Sequence, residues 1–199
     1  MLYSPNPYKA AYVFMGAEGG LQPLSSPATL FVHASIEPWV AEAYPDVDML
    51  NKQILRSLQQ KNHDKLAFIQ MDPLFGDNGP FWSRRYHFAE EVHAPELCAE
   101  LEGVLAVYGV ARMVVGHTPQ YRTNLARENC GGRLMLTDVA MSRWMLNRPS
   151  DISKPSAVIY SLGKDKHGDT VLLSIDALSL NVGPRVRSFY KVKNLDRDL

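Results

Sequence analysis

Arg112-Met113-Val114-Val115-Gly116-His117 decides how this chain reads. Its apolar middle has the length of a buried strand, and it stops at a glycine before turning polar at a histidine. Upstream, Leu97, Leu101, Val104, Leu105 and Tyr108 recur at helical spacing. Pro95 suits the first position of that helix and Gly109 its end. Leu30-Phe31-Val32-His33 repeats the same device, an apolar run closing on a histidine. A second helix is expected from Asp46 to Gln60, capped by Asp46, with Val47, Leu50, Ile54, Leu55 and Leu58 on one face. Further strands are expected at Leu134–Val139, Ala157–Leu162 and Thr170–Ile175, the last two joined by the turn-rich residues 163–169. Strand–helix alternation followed by consecutive strands predicts an α/β sandwich with a mixed sheet, its last two strands antiparallel.

The sequence has 199 residues, 46% hydrophobic and 21% charged, which excludes a disordered or collagenous chain and is enough for one real core. No apolar run approaches the ~18 residues of a membrane span. Residues 1–12 lack a charged stretch followed by an apolar one, so a cleaved secretory signal is not expected. Charge balances at 21 basic and 21 acidic side chains, without the clustered cations of a nucleic-acid footprint. Neither a nucleic-acid nor a membrane partner is expected. Cys98 and Cys130 are too few for a disulfide scaffold, so a reducing, cytoplasmic setting is the default. Residues 1–29, rich in Pro, Gly and Ser, read as an irregular segment, 30–182 as the folded domain, and 183–199 as a solvated basic tail.

His33 and His117 both follow buried strands, at the rim where ligand sites collect in α/β sheets. There, an imidazole is either a satisfied core-edge side chain or a ligand for zinc, manganese or iron. Position alone favours the former. The long loop from Met71 to Tyr86 is the other feature of functional character.

The residues around the histidines resemble a known family. Leu30-Phe31-Val32-His33-Ala34-Ser35-Ile36-Glu37-Pro38 is similar to the Phe-Val-His-Gly-Gly-[Ile/Leu]-x-Pro segment of calcineurin-like metallophosphoesterases. Gly79-Pro80-Phe81-Trp82-Ser83-Arg84-Arg85-Tyr86 resembles Gly-Pro-Leu-Trp-x-Arg-Gly of the Shewanella-like protein phosphatases in that superfamily. The run from Arg112 to Gln120 resembles their Arg-x-Val-Val-Gly-His-Thr-x-Gln, and Asp138-Val139-Ala140-Met141-Ser142 their Asp-Val-Gly-Met-Ser turn. Four segments in the family's order, across Leu30 to Ser142, carry the likeness.

The resemblance implies part of an α/β/β/α sandwich lacking the family's N-terminal strands, with an unpaired sheet edge and self-association through it. It implies His33 and His117 as ligands of one divalent metal (manganese, iron or zinc) and Arg84 as a phosphate-binding residue. It implies phosphate-monoester hydrolysis on a phosphorylated protein or small phosphate ester. The family's Gly-Asp-x-His, Gly-Asp-x-x-Asp-Arg-Gly and Gly-Asn-His-Glu motifs do not occur, so a complete dinuclear site and activity of this chain alone are not expected. No catalytic residue is assigned. The alternative is a non-catalytic relative, a pseudophosphatase that binds a partner.

Departures from the family pattern fall on glycines. Ala34 and Ser35 replace Gly-Gly, Arg85 replaces a glycine after Arg84, and Ala140 replaces the turn glycine. Each adds a Cβ where close approach or positive φ is a concern. Asp138 reads as a carboxylate that satisfies turn amides. His87 and His93, with Glu90 and Glu91, read as a solvated polar stretch rather than a metal cluster. Cys98 reads as packing, and Cys130 as a turn residue without a partner at metal spacing.

Overall fold

The computed structural model describes residues 9–14, 28–59, 72–89, 94–120, 126–140, 156–164 and 170–179. The chain is α/β. Strands β1 (Ala11–Phe14), β2 (Thr29–Val32), β3 (Arg112–Val115), β4 (Arg127–Asn129) and β5 (Leu134–Leu136) form one sheet in the order β1-β2-β3-β5-β4. β2, β3 and β5 are parallel, and β1 and β4 flank them antiparallel. Strands β6 (Ser156–Lys164) and β7 (Thr170–Ser179) make a separate antiparallel pair, as the turn-rich connection predicts.

Register follows from the apolar runs. Leu30 and Val32 lie opposite Met113 and Val115, and Met113 and Val115 lie opposite Leu134 and Leu136. These six share the buried core with the helices, whereas Phe31, on the other face of the sheet, is 41% exposed. Three helices supply the rest: α1 (Pro38–Ala43), α2 (Val47–Gln59) and α3 (Pro95–Val107). Leu101, Leu50 and Val40 are completely buried, each burial contributing about 2–3 kcal/mol of transfer free energy. None of the described helices is long and apolar enough to cross a membrane.

The Asp46 cap is present, with its Oδ1 accepting from the backbone of Asp48 and Met49. The buried face of α2 differs from the expected one. Leu58 is exposed, while Asn51 and Ser57 are buried. Both are there because each has a partner. Asn51 Oδ1 accepts from the backbone N–H of Ala10 and Ala11, and its Nδ2 donates to Ala11 O. Ser57 donates to Asp72 at 2.6 Å.

The Asn51 clasp explains a correction to the segment 1–29, expected to be irregular. Residues 11–14 within it form β1, fastened to α2 by Asn51 and paired along β2. β1 is therefore the outer strand of the sheet on the β2 side, and β4 is the outer strand on the other. A second correction concerns cysteine. Cys98 on α3 and Cys130 in the β4–β5 turn form a disulfide, joined by the Arg133–Glu102 ion pair between the same two elements. Thirty-two residues separate the cysteines, and the fold brings them together where local spacing could not. The basic tail 183–199 lies outside the described residues.

Candidate metal and phosphate site

Three parallel strands end on one rim. β2 delivers His33, β3 delivers Gly116 and His117, and β5 delivers Thr137 and Asp138. The strand ladder carries on past its last residues: Gly116 N–H donates to His33 O at 3.0 Å, and Thr137 N–H to Val115 O at 2.8 Å. This continuation aligns the two histidines, which stand 84 residues apart in sequence. His33 Nε2 lies 3.2 Å from His117 Nδ1, with ring centroids 4.9 Å apart.

His117 reaches that position through an unusual backbone. Thr118 N–H donates to Gly116 O at 2.7 Å, closing a three-residue turn in which His117 has φ 61°. Such a turn centred on a residue of positive φ is rare and strained, at a cost of about 1–3 kcal/mol. The Trp82 indole meets the His117 ring edge-on at 5.1 Å. Burial, then the Arg84 charge and His33, hold the His117 pKa below its ordinary value. The Asp138 carboxylate and the Trp82 backbone oppose them. A neutral ring, which keeps a lone pair for a ligand, is the outcome.

The loop from Gly79 to Ala89 packs between the two histidine segments. Ala34 N–H donates to Pro80 O and Ser35 N–H to Ser83 O, and Ser83 donates to Glu37 at 2.6 Å. Gly79 makes the loop possible: a Cβ there would lie 2.3 Å from Leu74 O. Arg85, which stands where the sequence resemblance has glycine, pairs with Glu100 on α3 through two nitrogens. Tyr86 donates to the same carboxylate at 2.9 Å. The Arg85 bond holds the Glu100 pKa below the usual carboxylate range, while burial and Glu100 push the Tyr86 phenol well up. Arg84, next in the loop, is exposed and forms no hydrogen bond or ion pair from its side chain among the described residues. Its charge acts on both His117 and His87.

His87 corrects a sequence expectation. It is completely buried rather than solvated. Its Nδ1 bonds Thr118 Oγ1, and its Nε2 is buried without a partner among the described residues. Its carbonyl accepts from Arg127 Nη2 and Asn129 Nδ2. Burial first, and then the electrostatic influence of Arg84, His117 and Arg127, lowers its pKa to about 4. Its polar neighbours in the chain carry no signal of this environment. Glu90, Glu91 and His93 lie outside the described residues.

The glycine substitutions fall into two groups. Ala34 and Ser35 are buried and are not among the described residues of positive φ, so neither carries left-handed strain, while Ser35 Oγ is buried without a hydrogen-bond partner among the described residues. Ala140 has φ 52°, the left-handed region that favours glycine. Asp138 acts as its sequence suggests, with Oδ1 accepting from Ala140 N at 3.0 Å. Beside His33, an open groove of about 340 Å³ runs over the sheet face along Tyr12, Phe31, Val114 and Thr137.

No family model matches this chain. An uncharacterized protein of Schizosaccharomyces pombe, C1840.07c, is 28% identical to it over 111 residues, covering 56% of this chain and 31% of that protein. Among solved structures, the cold-active protein tyrosine phosphatase of a psychrophilic Shewanella species is similar with a TM-score of 0.47 and 20% identity. Another structure of a cold-active protein tyrosine phosphatase gives the same TM-score with 21% identity. Both alignments cover 73% of this chain and 40% of the phosphatase. The chain thus spans 31% of the curated relative and 40% of each of these solved chains.

Proposed function

We propose that His33 and His117 hold one divalent transition metal and that Arg84 grips a phosphate monoester beside it. These residues are part of a calcineurin-like metallophosphoesterase site of the protein-phosphatase type. The observation that carries the reading is the 3.2 Å approach of His33 Nε2 to His117 Nδ1. Two nitrogens bound at ~2.0–2.1 Å to one tetrahedral ion lie about 3.3 Å apart, so the pair needs little movement to receive it. Manganese, iron and zinc all accept imidazole. When bound, such an ion supplies Lewis acidity toward a phosphoryl oxygen.

The residues fit two positions around one ion. They do not fit a two-metal centre. Among the described residues, no three His, Cys, Asp or Glu side chains gather closely enough to hold an ion. Imidazole ligands bring no negative charge to offset two cations. Arg84 contributes a planar, permanently charged donor fork that matches phosphate. The loop that carries it is tied to the His33 segment by two backbone bonds and to α3 by Arg85. The substrate class is a phosphorylated protein or small phosphate ester.

That no third ligating side chain joins the two histidines among the described residues also favours a second reading, a non-catalytic module that binds phosphate without turning it over. Calorimetric titration of inorganic phosphate into the chain with Mn²⁺ tests the binding shared by both. Binding that weakens about tenfold in Arg84→Ala supports the site, since charge-assisted bonds contribute about 1.5–3 kcal/mol each. Undetectable binding, or binding indifferent to Arg84, contradicts it. Turnover of p-nitrophenyl phosphate then separates the enzyme from the binding module.

A further inference from the structure

We infer that His87 is a positioning residue, whose bond to Thr118 holds the strained turn that aims His117 at His33. The functional meaning of that aim rests on the proposed metal site; the positioning itself does not. The turn at His117 has positive φ and is closed by the Thr118 amide on Gly116 O. A strained turn persists only when its surroundings over-determine it. Thr118 is the residue that closes it, and His87 takes the Thr118 hydroxyl.

His87 is itself immobilised from three sides. Arg127 and Asn129, both on β4, bond its carbonyl at 2.9 and 3.0 Å. Its own N–H donates to Arg84 O at 3.1 Å, which places it in one turn with Arg84. Its side chain is wholly buried. The His87–Thr118 bond therefore joins the loop that carries Arg84 to the turn that carries His117. Residues that orient a ligand from behind are typically worth about 10–100-fold in metal affinity.

Among the described residues His87 Nε2 has no partner, so the hydrogen bond its side chain makes there is the one to Thr118. A leucine would fill such a buried space without leaving a polar nitrogen unmet. One ring nitrogen is spent on Thr118, and the other meets no partner among the described residues.

The test needs no metal. In the full chain, proton–proton cross-relaxation between the His33 and His117 rings reports the observed approach. It is expected in the wild type, to vanish in His87→Ala and in Thr118→Val, and to return in His87→Asn, whose side-chain amide places a polar atom where Nδ1 sits. Amide dispersion checks that each variant folds. Should His87→Ala fail to fold, Thr118→Val carries the test alone. Folded variants that keep the cross-relaxation overturn the inference, as does a wild type without it. Co²⁺ titration of the wild type separates the two ideas. If the cross-relaxation vanishes from the variants while the wild type binds no Co²⁺, the positioning stands and the metal site falls. Cross-relaxation that persists in the variants, with Co²⁺ bound by the wild type, does the reverse.

Discussion

Arg85 donates from Nη2 to Glu100 Oε2 at 2.8 Å and from Nε to Oε1, while Arg84 beside it pairs with no described residue. Two adjacent arginines thus divide their work. Arg85 anchors the loop, and Arg84 stays available at the histidine rim. The Arg85–Glu100 pair is partly solvated, so its worth is that of a well-aligned surface ion pair. Glu100→Gln, which also weakens the Tyr86 bond, is expected to cost about 1 kcal/mol in urea unfolding. Arg84→Ala is expected to stay within about 0.5 kcal/mol of wild type. Equal losses would remove the distinction.

Ala140 sits at φ 52° with its side chain buried. The left-handed conformation costs a residue with a Cβ about 1–2 kcal/mol, against about 0.5–1 for the added freedom of glycine in the unfolded chain. Ala140→Gly is expected to raise stability by up to about 1 kcal/mol. A lower melting temperature would show that the methyl's packing outweighs the strain.

His87 makes stability depend on pH. Its folded pKa is about 4, against 6.5 for an ordinary imidazole, because burial first, and then the electrostatic influence of Arg84, His117 and Arg127, disfavours its charged form. The neutral ring therefore contributes fully above pH 6.5, and that contribution drains away as pH falls toward 4. At most it is about 3 kcal/mol. His117, shifted the same way, adds to the loss in the same direction. Urea unfolding at pH 7 and pH 4.5 should show a large drop in wild type and a smaller one in His87→Asn. Parallel drops would refute the assignment to His87.

The Cys98–Cys130 disulfide closes a loop of 32 residues. Loop-closure entropy for that length corresponds to about 3–4 kcal/mol. Cys98→Ser, or reduction of the wild type, is expected to lower stability by that order, read from denaturant midpoints under matched conditions. Midpoints that coincide with and without reductant would show that the bond contributes nothing.

The parallel strands were legible because Leu30–Val32 and Met113–Val115 are short apolar runs buried on the helix side, with a polar residue at each exit. Pro95 and Gly109 bounded α3 by simple backbone preference. The sheet's edges were not legible. β1 has four residues and owes its place to a hydrogen-bonded clasp from Asn51, 40 positions away. β4 reads Arg-Glu-Asn, polar throughout, yet Arg127 and Asn129 use that polarity to grip the His87 carbonyl. α1 is only six residues long. The approach of His33 to His117 could be expected only from the family likeness. Burial of His87 and the cysteine pairing had no local signature, since both depend on packing across the fold.

The central claim is that His33 and His117 share one metal ion. Co²⁺ titration followed by its visible absorption measures this directly, because the bands report ligand type and number. One ion per chain is expected, with imidazole-type bands that disappear in both His33→Ala and His117→Ala while the variants stay folded. No bands in the wild type, or bands that survive either substitution, would contradict it.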